Sequence, residues 1–548
     1  MGKERSAMLT QAMRREYGAV FTKTWMVEFM LDICGYDADL DLAHMVLVEP
    51  SCGEGSFLLP AVERLSASCR NFGLDISEAS GAIRAYDLRM ENVLASRRAV
   101  TRWLVEDGWP VSTAHHLADE WVQQSDYLLS NQPENSVDFV VGNPPYIRAE
   151  MIPRERRLQY LERCTTMTEG TDIYVGFIEK GLRSLKPTGK LCFICADRWM
   201  HNAYGRRLRK LIAEQFAVNA VFKMHGVDAF ADEVSAYPAV VLLSRGPQGP
   251  VRYASARPEF DVVDAEALRA WTENGMRPKS HPAFSAAVIP KWFPTDDHWP
   301  AGSPARLELL EELEARFPAL EATGAKVGIG IATGADSVFV TSDSEVVEPS
   351  RLLPLVRTSD IRAGRVSWQG CWLVNPWDDD NRLVDLEQFP RLKEYLGARR
   401  NVLEARHVAR KAPDQWYRTI DRIVPGLQNT PKLLLPDIKA RIEPALDDGR
   451  YYPHHNLYWI TPGEWDIRVL GGLLLSRVAE FFVSCYAVRM RGETLRFQAQ
   501  YLRKIRVPHP YNIPEEISER LAKAFSLRDV QAATIAAQEV YGISSLPE

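Results

Sequence analysis

Val137-Asp138-Phe139-Val140-Val141-Gly142-Asn143-Pro144-Pro145-Tyr146 is an apolar strand that stops at two prolines. Each proline lacks an N–H and fixes φ, so the chain can neither continue the sheet nor enter a helix there. It must leave the strand in a stiff, extended turn that holds Asn143 and Tyr146 in set positions. The Asn143 side-chain carbonyl and the Pro144 main-chain carbonyl can together accept both hydrogens of an exocyclic amino group, while the Tyr146 ring stacks on the base that carries it. Methylation of a nucleobase amine needs such acceptors, because the nitrogen lone pair is otherwise delocalised into the ring. In open α/β sheets, ligands sit at loops of this kind.

From Tyr17 to Arg245, apolar strand-like runs alternate with amphipathic helices, the pattern of an α/β fold with a mainly parallel sheet. Strands are expected at Met45–Glu49, Ala82–Tyr86, Val137–Val141, Lys190–Cys195, Val218–Phe222 and Ala239–Leu243. Helices are expected at Thr24–Cys34, Phe57–Ser66, Tyr174–Leu185 and Arg206–Glu214. Residues 246–325 are rich in Pro, Trp and Gly, hold one clear helix at Pro304–Arg316, and read as a connector. Beyond Val327 come short strands, an Arg-rich helical region and an apolar helix near 468–487, a mixed α+β pattern. The expected organisation is thus 1–245, 246–325 and 326–548.

Val46-Leu47-Val48-Glu49-Pro50-Ser51-Cys52-Gly53-Glu54-Gly55-Ser56-Phe57 is a strand, a glycine turn and a helix start. Gly53 and Gly55 let the backbone approach a ligand closely, and Ser56 can cap the helix. The spacing is not the G-x-G-x-x-G of dinucleotide sites. Glu49, an acid at the strand end, suits a zwitterionic amino acid or a sulfonium better than a phosphate. Asp87 follows the next strand, where its carboxylate can accept both ribose hydroxyls. Asp126 follows a third, weakly marked strand and can accept from an adenine amine. The long stretch between these two acids is expected to hold an inserted helix.

Eight scattered cysteines fit a reducing cytoplasm rather than a disulfide framework. Cys192 and Cys195 would lie on opposite faces of a strand, and no His/Cys cluster has zinc spacing, so the site is expected to hold no metal. The opening Met1-Gly2-Lys3-Glu4-Arg5-Ser6 is too polar for a secretory signal, and no apolar run is long enough to span a membrane. The net charge of −6 is unevenly spread: residues 351–510 carry 26 Lys and Arg against 18 Asp and Glu, the remainder 40 against 54. A basic module on an acidic body is the electrostatic footprint of phosphate binding. Within it, Arg399, Arg406 and Arg410 fall at helical spacing and are expected to share one DNA-facing surface, with Arg489 and Arg491 the next candidates.

The order of these features resembles the γ-class N6-adenine DNA methyltransferases of the TaqI-like type II modification family. Val20-Phe21-Thr22-Lys23-Thr24 is similar to that family's opening Phe/Tyr-Thr-Pro motif, with Lys23 in place of proline. Glu49-Pro50-Ser51-Cys52-Gly53-Glu54-Gly55 resembles its first cofactor motif, and Asn143-Pro144-Pro145-Tyr146 its catalytic motif. The segments Asp172–Glu179, Leu185–Leu191 and Arg198–Arg209 resemble its middle motifs. Gly330–Val340, Val356–Ile361, Lys432–Ile438 and Phe497–Leu502 are similar to parts of its recognition domain.

The resemblance implies a Rossmann-like domain that uses S-adenosyl-L-methionine, followed by a mixed α+β target-recognition domain. Thr22, Glu49, Ser51, Cys52, Gly53, Gly55, Asp87 and Asp126 would bind the cofactor. Asn143, Pro144, Pro145 and Tyr146 would hold an adenine flipped out of duplex DNA, and Phe230 falls where the family places an aromatic against that base. The expected partner is double-stranded DNA, read by a monomer in the cytoplasm as the modification half of a restriction system. No segment shows nuclease P-D…(D/E)-x-K spacing in a domain of its own, so a cognate endonuclease would act separately. Competing readings are an N4-cytosine DNA methyltransferase on the same scaffold and a protein-glutamine N5-methyltransferase of the release-factor type, which also carries Asn-Pro-Pro-Tyr.

Overall fold

The computed structural model describes residues 21–231, 237–274, 281–293, 296–487 and 495–547. Arg489 and Arg491 lie outside them. The chain divides into two compact units, Met1–Glu311 and Glu312–Glu548.

The first unit is built on a nine-stranded sheet in the order β3-β2-β1-β4-β5-β7-β6-β8-β9. Its strands are β1 (Leu47–Glu49), β2 (Ile83–Asp87), β3 (Val122–Gln124), β4 (Val137–Gly142), β5 (Leu185–Ala196), β6 (Phe216–Lys223), β7 (Pro238–Arg245), β8 (Val251–Ala256) and β9 (Phe284–Ile289). The run β3-β2-β1-β4-β5 is parallel, and β7 enters antiparallel between β5 and β6. Helices on a parallel sheet bury both faces, so β4 and β7 are apolar and buried almost throughout rather than alternating. From β1 the chain builds outward to β3, then returns and builds the other way from β4. The order therefore switches between β1 and β4, and a crevice opens past their C-terminal ends. Leu47 pairs with Phe139 and Val48 with Val140, so Glu49 and the Gly142-Asn143 exit lie at nearly one level.

The six expected strands and the helices Thr24–Cys34, Tyr174–Ser184 and Arg206–Gln215 are present. Thr24–Cys34 buries seven residues and stops at Gly35, whose φ of 79° lets its N–H bond back to Leu31 and Asp32. Two helices, Met90–Glu106 and Val111–Trp121, occupy the stretch between Asp87 and Asp126 where one was expected.

The connector reading of 246–325 needs correction. β8 pairs parallel with β6, and β9 pairs antiparallel with β8, so residues 251–289 extend the sheet. The tryptophans that suggested a linker are a packed edge: Trp299 meets Trp199 at 5.1 Å and Trp292 at 5.4 Å between ring centroids. The unit boundary falls instead within the helix Pro304–Arg316.

The second unit is mixed α+β. Its six-stranded sheet runs Lys326–Ile329, Leu457–Thr461, Lys432–Pro436, Ala445–Asp447, Arg365–Val366 and Ile361–Arg362. A four-stranded sheet holds Val340–Thr341, Trp372–Val374, Leu352–Val356 and Tyr452–Pro453. The apolar helix near 468–487 is two helices, Ile467–Leu475 and Arg477–Tyr486, bent by 62° at Ser476, which caps the second. Among the described residues no single helix is long and apolar enough to cross a membrane, although this bent pair passes that test together.

Candidate active site

Past β1 the chain turns through Ser51-Cys52-Gly53-Glu54-Gly55. Cys52 N–H donates to Tyr86 O at 2.8 Å, and Gly55 N–H to Cys52 O at 2.8 Å. Gly53 and Gly55 have φ of 53° and 97°, left-handed conformations that a side chain would strain. A Cβ on Gly55 would also come within 3.4 Å of Ser96 Oγ, the hydroxyl that donates to Gly53 O at 2.9 Å. Ser56 caps nothing. The helix Leu58–Phe72 starts at Phe57 without a side-chain cap, and Ser56 faces the cavity instead.

Asp87 ends β2 and pins this turn. Its carboxylate accepts from Gly53 N at 3.0 Å, Arg89 N at 2.8 Å and Asn92 Nδ2 at 3.0 Å. A carboxylate has about four lone-pair sites. With three taken, Asp87 has room for one further donor, so the expectation of two ribose hydroxyls narrows to one. Burial raises its pKa, and the three donors pull it back. Glu49 is fully buried, and burial followed by the nearby Asp87 charge pushes its pKa well above the ordinary range. Its Oε2 has no hydrogen-bond partner among the described residues. A buried, unmatched carboxylate oxygen is costly unless a ligand completes it.

Asn143 leaves β4 after Gly142, whose φ of 153° is a conformation that a side chain would strain. Asn143 Nδ2 donates to Thr22 Oγ1 at 3.2 Å, and Ser51 Oγ donates to Asn143 O at 3.1 Å. Thr22 is itself held by a backbone bridge to Phe230, flanked by Lys23 N to Ala229 O and Ala231 N to Phe21 O, both 2.9 Å. Lys23, which replaces the family's proline, pairs with Asp228 across this bridge. Three motifs far apart in the chain thus meet around one asparagine.

A cavity here is lined by Thr22, Glu49, Ser51, Cys52, Gly53, Asp87, Asp126, Asn143 and Pro145. Asp126 accepts from Tyr160 Oη at 2.7 Å and from Leu128 N at 3.1 Å. Gly55, Pro144, Tyr146 and Phe230 do not line it. Phe230 is 6% exposed and its ring belongs to the core; it serves the site through its backbone. The Tyr146 hydroxyl is buried without a hydrogen-bond partner among the described residues, and burial raises its pKa. Its ring is half-buried. The sequence reading missed Arg89, Asn92, Tyr160 and Phe177, which also line the cavity. Tyr160 is the single buried residue of the highly charged helix Arg154–Arg163, a placement that no sequence window shows.

Residues 72–230 match the Eco57I restriction-modification methylase model, and 354–507 match the TaqI-like C-terminal specificity domain. The type II methyltransferase M.PaeR7I of Pseudomonas aeruginosa is 43% identical over 98% of this chain and 94% of its own length. The chain belongs to the type II restriction-modification methyltransferases. M.XhoI of Xanthomonas vasicola is 41% identical over 96% of this chain and 98% of its own length. M.BstVI of Geobacillus stearothermophilus is 39% identical over 98% of both.

In the second unit of the methyltransferase, Arg399, Arg406 and Arg410 do not lie on one continuous helix. Three short helices, Pro390–Gly397, Arg400–Glu404 and His407–Lys411, replace the continuous helix that the spacing required. Arg399 lies 3.8 Å over the Tyr395 ring and donates to Tyr395 O. Arg406 points inward, donating to Leu403 O at 3.0 Å, Thr333 O at 3.1 Å and Trp416 O at 2.9 Å. Burial, then the Arg418 charge, lowers its pKa. Arg410 is exposed and donates to Ala405 O at 3.0 Å. Arg406 is half-buried: it ties three carbonyls and also lines a cavity with His407, Lys411 and Arg418.

Proposed function

We propose that this methyltransferase transfers the methyl of S-adenosyl-L-methionine to N6 of an adenine flipped out of duplex DNA. The observation that carries the reading is the Asn143-Pro144-Pro145-Tyr146 turn at the switch point, with Asn143 held by Thr22 at the rim of a cavity that Glu49 and Asp87 line. The residues present fit the cofactor. The glycine turn leaves room for close backbone approach, Glu49 Oε2 is an acceptor awaiting a cationic or N–H donor, and Asp87 has one lone-pair site left. S-adenosyl-L-methionine, when bound, supplies an electrophilic methyl on a sulfonium.

The chain's own part is positioning. Asn143 and the Pro144 carbonyl accept the two amino hydrogens and hold the nitrogen in line for attack. Thr22 fixes the amide so that its carbonyl serves as the acceptor. Tyr146 offers a ring on which the extruded base stacks, which offsets part of the few kcal/mol lost from the duplex stack. No side-chain nucleophile is needed, because orientation of an already activated methyl accounts for most of the acceleration. The second unit, which carries the specificity-domain match, reads the DNA word through contacts to base edges and phosphates. The enzyme acts as a monomer, and the partner endonuclease is a separate protein.

Incubation of the purified protein with duplex DNA and labelled S-adenosyl-L-methionine, followed by nucleoside analysis, tests the reading. Label in N6-methyldeoxyadenosine supports it. Label in N4-methyldeoxycytidine or in protein overturns it.

A further inference from the structure

The second unit brings Asp336, His454 and His455 together across 118 residues of chain. Asp336 begins the short helix Asp336–Phe339, and the two histidines follow the strand Tyr452–Pro453. Asp336 Oδ2 lies 3.0 Å from His454 Nε2, and that nitrogen lies 3.1 Å from His455 Nδ1. All three atoms fall within 4.8 Å of one another.

One proton cannot satisfy this trio. If His454 Nε2 carries the proton and donates to Asp336, it has no lone pair left for His455. If it instead accepts from His455, the Asp336 carboxylate faces a bare nitrogen lone pair. A cation among them attracts all three at once. Tetrahedral ligands held at about 2.0–2.2 Å from a zinc ion lie roughly 3.3–3.6 Å from each other, close to the 3.0 and 3.1 Å from His454 Nε2 to its two neighbours.

The frame is built for fixed ligand positions. His454 is buried, and its main-chain N–H donates to Val356 O at 3.0 Å. His455 N–H donates to Ile331 O at 3.0 Å. The Thr333 hydroxyl donates to Asp336 Oδ1, the oxygen turned away from His454. An outer partner of this kind orients a ligating carboxylate, and the two backbone bonds fix the histidine main chain. Thr333 is itself 1% exposed, and its carbonyl is tied to Arg406 and Ile420. Asp336 is exposed, and it lines a cavity with His454, Arg357, Thr358, Ser359 and Asn456. The Arg357 charge opposes a bare dication and suits a water or anion completing its coordination.

We propose that Asp336, His454 and His455 bind a divalent transition-metal ion of the zinc class, with three protein ligands and an open fourth position. The ion fastens the His454-His455 turn to the Thr333–Asp336 segment and takes no part in methyl transfer. The full chain, freed of any affinity tag and stripped with chelator, is titrated with zinc by calorimetry, and cobalt(II) absorption reports tetrahedral ligation. The expected result is one zinc per chain and a melting temperature that rises with zinc. His455→Ala and Asp336→Asn, at positions outside the core, are expected to weaken zinc binding by roughly a hundredfold or more and to abolish the thermal shift. Absence of zinc binding by the wild-type chain overturns the proposal even if a variant fails to fold. So does a folded variant that binds zinc as tightly as the wild type.

Discussion

Asp87→Asn removes one charge from the cavity while keeping the side chain's shape. In the wild type the carboxylate accepts three N–H donors and retains one lone-pair site, which the proposed function gives to a ribose hydroxyl. In the variant the remaining oxygen can keep Arg89 and Asn92, but the new amide nitrogen then faces the Gly53 N–H, donor against donor. A hydrogen bond to a charged acceptor contributes about 1.5–3 kcal/mol. One such bond lost to the cofactor weakens binding by roughly 10- to 150-fold, since each 1.4 kcal/mol is a factor of ten. A loss of similar size falls on the Gly53 turn and shows as a lower melting temperature. Calorimetric titration with S-adenosyl-L-methionine measures the first effect, and fluorescence anisotropy with duplex DNA should show no change. If cofactor affinity is unchanged while the melting temperature falls, Asp87 only anchors the turn, and the ribose role must move to another residue.

Asn143→Ala should cut labelled-methyl transfer by at least ~100-fold with cofactor affinity retained, by analogy with loss of one oriented group at a reacting centre; a variant keeping more than a tenth of the wild-type rate would refute the role. Glu49 should give a pH signature. Burial raises its folded pKa above 4.5, so its stability contribution is fully present below pH 4.5 and is lost as pH rises through the folded pKa. Glu49→Gln, which cannot ionise, should therefore gain melting temperature relative to the wild type as pH climbs above 4.5, and parallel pH profiles would contradict this. Arg406→Ala removes three side-chain hydrogen bonds to main-chain carbonyls and should destabilise the second unit by about 1–3 kcal/mol, read from denaturant melts. Weaker DNA binding with unchanged stability would instead restore Arg406 to the DNA face.

Much of the first unit was legible because its signals are local. Buried parallel strands are short apolar runs, Pro-Pro ends a strand wherever it occurs, and a glycine turn after an acid can be read in one window. The last two strands of the sheet, β8 and β9, were hidden because Pro, Gly and Trp around them suggest a loop, and only the packing of Trp292 and Trp299 gives that composition a purpose. Helical spacing put Arg399, Arg406 and Arg410 on one face, but breaks at Ala398 and Ala405 rotate them apart, and carbonyls far along the chain capture Arg406. The Thr22–Asn143 hydrogen bond and the Thr22–Phe230 bridge join residues that no window contains, so their positions could be expected but their mutual geometry could not. Burial of the Phe230 ring is likewise a tertiary outcome.

The most direct test is modification-sensitive sequencing of DNA from cells that express this protein, beside cells that express the Asn143→Ala variant. The account predicts N6-methyladenine at every copy of one recurring sequence word with the wild type, and none at that word with the variant. N4-methylcytosine at such a word, or adenine methylation that persists in the variant, would contradict it.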